Sequence, residues 1–214
     1  EHIEKINSEH TVFAPDVPVA CGGLFTREYI AENEAKFDEV YSRLADEESK
    51  RVYLDILSFK VSGKIEYLLR SFGEKDKVYS EILKLTDNEE IIDLGAYDGD
   101  TIREFTAATN GKYKHITALE PDAKSYKKLL KNTDGMENLT TLNMGAWSKK
   151  DTLIFSADAG RNSKLSSSGT SVEVTDIDSL NIPATFIKMD IEGSEMKALE
   201  GMEKTIKSQL PKLY

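Results

Sequence analysis

The sequence predicts an α/β protein, a doubly wound parallel sheet preceded by an N-terminal helical segment. Three observations carry this expectation. After Gly73, short apolar runs alternate with amphipathic stretches, the pattern of parallel strands covered by helices on both faces. The run "IIDLGAYDGDTI" at 91–102 reads as a strand entering a glycine-bearing turn and then a helix. Before Gly73, apolar residues recur instead at helical spacing. A chain of 214 residues accommodates one catalytic-size domain and a smaller segment, here 77–214 and 1–76.

Residues 1–25 show no clear period, and "APDVPVACGG" carries the prolines and glycines of a loop or arm. From Thr26, a candidate N-cap, Ile30, Phe37, Val40, Tyr41 and Leu44 form one helical stripe. A second helix starts near Asp46, buries Val52, Tyr53, Ile56 and Phe59, and stops at Gly63. A shorter one follows in "KIEYLLRSF". The Tyr and Phe stripe of this segment reads as core rather than as a ligand box.

"EIIDL" is the first strand and "DTIREFTAAT" the helix after it. "HITALE" is the second strand, "PDAKSYKKLLKN" a helix with proline in its first turn, and "NLTTLNM" the third strand. "DTLIF" and "VEVT" are short strands flanking "SADAGRNSKLSSSGTS", a serine-rich loop of the kind that is either a functional lid or disordered. Arg161 and Ser166 to Ser168 lie in it. "TFIKMD" is a fourth main strand and "GSEMKALEGMEKTIKSQL" a helix. At "PKLY" a fifth strand is only starting, so the sheet is expected to be truncated at its C-terminus, and the start at Glu1 points to further residues upstream.

Lys and Arg total 28 against 38 Asp and Glu, a net charge of -10. A phosphate backbone meets mostly repulsion on such a surface, and "KSYKKLLKN" reads as a solvated helix face, so no nucleic-acid partner is expected. No run approaches the roughly 18 apolar residues of a membrane span, so no membrane partner is expected either. Cys21 is the only cysteine and fits a reducing, cytoplasmic setting. It has no histidine placed to make it a nucleophile. His115 heads the second strand on the rim opposite the expected site, and His2 and His10 lie in the arm, so no histidine is given a catalytic role.

Three strands end in carboxylates: Asp93, Glu120 and Asp190. Ligands of open parallel sheets bind at the carboxyl ends of the strands, so these acids converge on one rim. A dinucleotide would place its pyrophosphate on a G-x-G-x-x-G turn, but here Gly95 and Gly99 have the wrong spacing. Asp93 would also repel an anion. S-adenosylmethionine carries a sulfonium and an ammonium and no phosphate, which suits an acid at this turn. Glu120, about 20 residues past Gly99, is placed to accept ribose hydroxyls from either cofactor. A nicotinamide-dependent oxidoreductase and a non-catalytic nucleotide-binding or interaction module are the alternatives.

"IIDLGAYDGDTIREF", "LEPD", "GAWSKKDTLIF", "VTDIDSL" and above all "FIKMDIEGSEMKALEGM" resemble, in order and spacing, the FkbM family of S-adenosylmethionine-dependent methyltransferases. The resemblance covers about 77–214. It implies a Rossmann-like class I methyltransferase fold and O-methylation of hydroxyls on sugars or polyketide-like natural products. By position, Asp93, Gly95, Ala96, Tyr97, Asp98 and Gly99 match the first cofactor motif, with Thr101 just beyond it. Glu120 matches the ribose acid, followed by Pro121, and Gly145, Ala146 and Trp147 match the turn beside the adenine. The family's sheet continues beyond Tyr214, with strands that would help close the core and part of the substrate pocket. The N-terminal helices lie outside the shared core and could cover the pocket or mediate homo-oligomerisation.

Asp190 and Glu192 are the candidate catalytic residues. A carboxylate there could orient the acceptor hydroxyl, take its proton, hold the cofactor's ammonium or bind a divalent metal, although no metal-ligand set is assigned. Asp190 could equally cap the helix beginning near Gly193. Lys188 is expected to pair with an acid. Trp147 could cover the adenine or fill the core, and Asp178 could cap a turn. The sequence thus predicts methyl transfer from S-adenosylmethionine to a small-molecule or saccharide acceptor.

Overall fold

The computed structural model describes residues 2–14, 25–73, 77–155 and 170–214. The chain divides into two compact units, Glu1–Glu74 and Lys75–Tyr214. Cys21, Arg161 and the Ser166 to Ser168 cluster lie outside the described residues.

The first unit is helical from its start. α1 (His2–Glu9) occupies part of the stretch expected to be an arm, because two isoleucines in so short a segment are too few to show a period. The helix expected from Thr26 is broken in two. Thr26 caps α2 (Arg27–Glu32) by accepting from Tyr29 N at 3.2 Å. At Asn33 the chain leaves helical geometry before α3 (Glu34–Arg43). The Asn33 amide donates to the Tyr29 carbonyl at 2.9 Å and accepts from Lys36 at 3.0 Å, the local side-chain bonding by which asparagine competes with a helix.

α4 (Glu47–Ser62) has the boundaries its sequence announces. Asp46 caps it through Ser49 N at 2.8 Å, and Gly63 ends it at φ 68°. α5 (Ile65–Ser71) packs against α4. Asp55 of α4 is the one buried residue among the described residues of this unit, tied to Arg51 at 2.9 Å and Arg70 at 2.5 Å. The expected apolar stripe is only half-buried: Val40 is 45% and Ile56 37% exposed, so these two are not core.

The second unit is the α/β domain. β1 (Glu90–Leu94), β2 (His115–Leu119), β3 (Leu139–Leu142), β7 (Phe186–Met189) and β8 (Lys212–Leu213) form a parallel sheet in the order β3-β2-β1-β7-β8. The order reverses between β1 and β7, which makes the sheet doubly wound. α6 (Asp100–Ala108) and α7 (Ala123–Asn132) contribute Ile102, Phe105 and Leu129 to one face, over Ile91, Ile116 and Phe186. α8 (Ile177–Leu180), α9 (Glu195–Glu200) and α10 (Glu203–Gln209) cover the other, where Ile92, Leu94, Leu119 and Ile187 meet Ile177, Ala198 and Met202. Strands buried on both faces read as continuous apolar runs, which is why "EIIDL" stood out. Asp93 is the exception in that run. β4 (Gly145–Ala146), β5 (Asp151–Phe155) and β6 (Thr170–Thr175) form a separate small sheet.

Two expected helices differ in detail. Pro121 precedes α7 instead of opening it, because Asp122 is the N-cap and accepts from Lys124 N and Ser125 N. The long C-terminal helix is broken at Gly201 and Met202. A Cβ at Gly201 would lie 1.9 Å from the carbonyl oxygen of Trp147, so the chain turns where it meets that backbone. Asp178 then caps α10 from outside, accepting from Lys204 N at 3.0 Å and Thr205 N at 2.8 Å. No helix among the described residues is long and apolar enough to cross a membrane.

This contact yields a test. Gly201→Ala forces the Trp147 carbonyl away, an overpacking cost of about 1–3 kcal/mol, and is expected to lower the thermal midpoint by several degrees. An unchanged melting curve would show that the helix break does not depend on this approach.

Candidate functional site

The C-terminal ends of β1, β2 and β7 meet at one rim. Leaving β1, the chain takes positive φ at Gly95 (78°), Tyr97 (48°) and Gly99 (84°). At Gly95 this is a packing requirement as well: a Cβ there would sit 2.2 Å from the Asp190 carbonyl oxygen. Gly95 N and Ala96 N both donate to the Leu119 carbonyl of β2 at 3.0 Å. Asp190 N donates to the Leu94 carbonyl at 3.2 Å. The first turn is therefore wedged between the ends of two strands.

Asp93 is fully buried, and neither carboxylate oxygen has a hydrogen-bond partner. Its register partner on β7 is Lys188, whose Nζ approaches Oδ1 at 3.3 Å as an ion pair without hydrogen-bond alignment. That ammonium donates instead to the Gly95 carbonyl at 3.0 Å. Burial pushes the Asp93 carboxyl up to about 6 against the pull of Lys188, with Asp100 and Asp190 adding to the rise.

Glu120, just past β2, is 6% exposed. Its Oε2 accepts from Tyr97 N and its Oε1 from Asp122 N, both at 2.8 Å. Burial raises its carboxyl above the usual range, and these two hydrogen bonds oppose the rise. Each oxygen keeps a second lone pair for a ligand. The exposed Tyr97 ring lies 5.4 Å from Lys128 Nζ. Asp98 pairs loosely with Arg103 at 3.5 Å and gives its carbonyl to Asn132. Asn143 Nδ2 bridges the carbonyls of Glu120 and Pro121 at 2.8 and 3.2 Å. Gly145 packs against Pro121 and Val174. Ala146 is buried and Trp147 is half-buried with its N–H on the Thr175 carbonyl.

The structure thus brings Asp93, Gly95, Ala96, Tyr97, Gly99 and Asp190 together across β1 and β7. Glu120, Pro121 and Gly145 stand on the β2 side of the same turn. Asp190 and Glu192 are both exposed, and Glu192 takes φ 55°. Asp190 is not a helix cap: α9 begins after Ser194 with no side-chain cap.

A cleft of about 370 Å3 opens beside the turn, and its lining includes Thr101, Glu104, Lys188, Asp190, Tyr79 and Tyr214. Tyr79 belongs to no motif, and Glu104 lies in "IIDLGAYDGDTIREF" but carries no role read from the sequence. Tyr79 lies in a π-helical turn, Val78–Ile82, and its hydroxyl donates to Glu104 at 2.9 Å. Burial holds that phenol above its ordinary value. A second groove, about 280 Å3, opens at the opposite rim near Glu90 and His115, where His115 Nε2 lies 2.9 Å from Thr140 Oγ1. It is the wrong end of a parallel sheet for a ligand site. Among the described residues no cluster of three or more His, Cys, Asp or Glu could hold a metal ion.

Residues 93–214, more than half of the chain, match the methyltransferase FkbM domain. A crystal structure of methyltransferase FkbM from Methylobacillus flagellatus KT is similar with a TM-score of 0.72 and 27% identity, over 87% of this chain and 48% of that one. The chain therefore spans about half the length of that protein. A precorrin-6y C5,15-methyltransferase from Geobacter metallireducens GS-15 is far less similar, with a TM-score of 0.38 and 16% identity over 61% of this chain and 54% of that one. An rRNA methylase from Streptococcus thermophilus gives 0.37 and 17% over 62% and 60%. No curated protein matches the chain at a significant level. The domain match, together with a sheet of matching fold, identifies the chain as a member of the FkbM methyltransferase family.

Proposed function

We propose that the protein transfers a methyl group from S-adenosylmethionine to a hydroxyl oxygen of a saccharide or related small metabolite. The observation that carries the cofactor reading is Asp93, a fully buried carboxylate without a hydrogen-bond partner beneath a turn of positive φ. A negative charge there disfavours a pyrophosphate and favours a cationic ligand. The residues present fit S-adenosylmethionine on this ground, and family membership supports it.

In this reading, Gly95, Ala96, Tyr97, Asp98 and Gly99, with Thr101, hold the amino-acid end. Glu120 accepts the ribose hydroxyls through its remaining lone pairs, with Pro121 beside it, and Gly145, Ala146 and Trp147 border the adenine. When bound, the cofactor supplies an electrophilic methyl group on a sulfonium. Asp190 and Glu192, exposed at the end of β7, orient the acceptor hydroxyl and can accept its proton. The donor is already activated, so holding the acceptor in line supplies most of the acceleration and a strong base is not required. Hydroxyl donors suit a rim of carboxylates, which supports a polyol acceptor.

Calorimetric titration of the full chain with S-adenosylhomocysteine, beside NAD, tests the cofactor. Binding of the homocysteine product without NAD binding is expected, and Glu120→Ala is expected to weaken it about tenfold or more, the loss of hydrogen bonds to a charged group. NAD binding in its place would reject the reading. Gly95→Ala is expected to abolish binding and lower the melting point together, since the added methyl overlaps the Asp190 carbonyl at an adverse φ. A variant that melts lower yet binds normally would detach the turn from the cofactor site.

A further inference from the structure

Lys188 is 7% exposed in the middle of a parallel sheet, where an apolar residue is the rule. Its neighbours Ile187 and Phe186 obey that rule and are fully buried. Burying an ammonium is costly unless the charge is paired and hydrogen-bonded. The bland account is that Lys188 merely neutralises Asp93. The geometry gives it more to do: its aligned hydrogen bond, 3.0 Å, goes to the Gly95 carbonyl, whereas the Asp93 contact, 3.3 Å, is not aligned.

The Gly95 carbonyl belongs to the peptide whose N–H, on Ala96, donates to the Leu119 carbonyl of β2. The next N–H, on Tyr97, donates to Glu120. Lys188 therefore fixes one side of a peptide plane whose other side is fixed by β2, immediately before the residue that holds Glu120. We propose that Lys188 is a positioning residue of the cofactor turn: by tying the Gly95 carbonyl and the Asp93 carboxylate to β7, it sets the backbone that S-adenosylmethionine meets. This rests on the cofactor reading given above.

The groups that face Asp93 are Lys188 from β7, Asp190 just beyond it, Asp100 at the start of α6, Tyr79 from the π-helical turn and Glu120 past β2. Lys188 is the one cation among them, and Asp100 and Asp190 oppose ionisation of Asp93. As pH falls through about 6, Asp93 takes up a proton and the turn loses its negative field, so affinity for a cationic ligand falls. Without Lys188 that loss moves to higher pH. A merely neutralising lysine would move the inflection in the same way, so the affinity of the double variant, and not the inflection, separates the two roles.

The experiment titrates S-adenosylhomocysteine into the 214-residue chain as wild type, Lys188→Met, Asp93→Asn and the double variant between pH 5 and 8.5, with a melt of each. Lys188→Met is expected to bind about tenfold or more weakly at pH 8, the loss of a charge-assisted hydrogen bond, with its pH inflection displaced upward. Lys188→Met can lose stability through the unpaired Asp93, so the double variant, which buries no lone charge, is the decisive arm. It is expected to bind several-fold more weakly than Asp93→Asn, because the Gly95 carbonyl still lacks its donor. Equal affinity of those two would overturn the proposal and reduce Lys188 to a neutralising role. Binding by Lys188→Met equal to that of a binding wild type would overturn it as well. No binding by the wild type would reject the cofactor reading, and the assignment with it.

Discussion

The site depends on a single steric constraint: there is no room for a side chain between the first turn and the end of β7. The Asp190 carbonyl lies 2.2 Å from where a Gly95 Cβ would be. That proximity lets Asp190 N reach the Leu94 carbonyl and lets the Lys188 ammonium reach the Gly95 carbonyl. Asp190 is consequently delivered to the first turn by backbone packing, while its own side chain stays exposed. The first turn and the end of β7 share one rigid junction, the arrangement by which a fold can hold groups from two strands in register.

The junction carries an energetic cost at neutral pH. A carboxyl at about 6 in the fold and near 3.8 when unfolded stays protonated longer in the folded chain. The contribution of Asp93 to stability is then fullest below pH 3.8 and declines as pH rises through about 6, by about 3 kcal/mol in all. Glu89 has the opposite sign. It too is buried, but hydrogen bonds from Lys212, Thr185 and Thr86 outweigh desolvation and hold its carboxyl below the ordinary value. Its stabilisation is present above pH 4.5 and lost as pH falls through its folded value. One buried acid is satisfied and structural; the other is left unsatisfied at the rim, as residues kept for function often are.

Sequence made legible what short-range physics decides. β1 is visible because a strand buried on both faces is a continuous apolar run, and α4 because Asp46 and Gly63 cap it with their own local bonds. The breaks at Asn33 and Gly201 were not visible for different reasons. Asn33 competes with the helix by its side chain, which a hydrophobic stripe does not record. Gly201 yields to a carbonyl more than fifty residues away in the chain. In the site, the turn and Glu120 could be read because they follow strand ends at set spacings. Tyr79, Glu104 and Tyr214 could not, since only the fold brings a π-helical turn, a helix and the last strand to one cleft. The half-exposure of Val40 and Ile56 has the same origin: periodicity identifies a face but not how deeply it is covered.

The turn is gripped by opposite charges on its two sides. Lys188 meets the carbonyl of Gly95, and Glu120 meets the N–H of Tyr97. A cation at a carbonyl and an anion at an N–H both act on the favourable ends of peptide dipoles, so the two grips reinforce one orientation of the intervening backbone. Tyr97 is held at φ 48°, a conformation that costs a side-chain-bearing residue of order 1 kcal/mol or more, and the Glu120 bond offsets that strain. Glu120 is fixed by Tyr97 and Asp122, so the orientation of its remaining lone pairs is set by the fold itself. Preorganisation of the Glu120 carboxylate is thus inherited from the strained turn, and through it from the packing of Gly95 on β7.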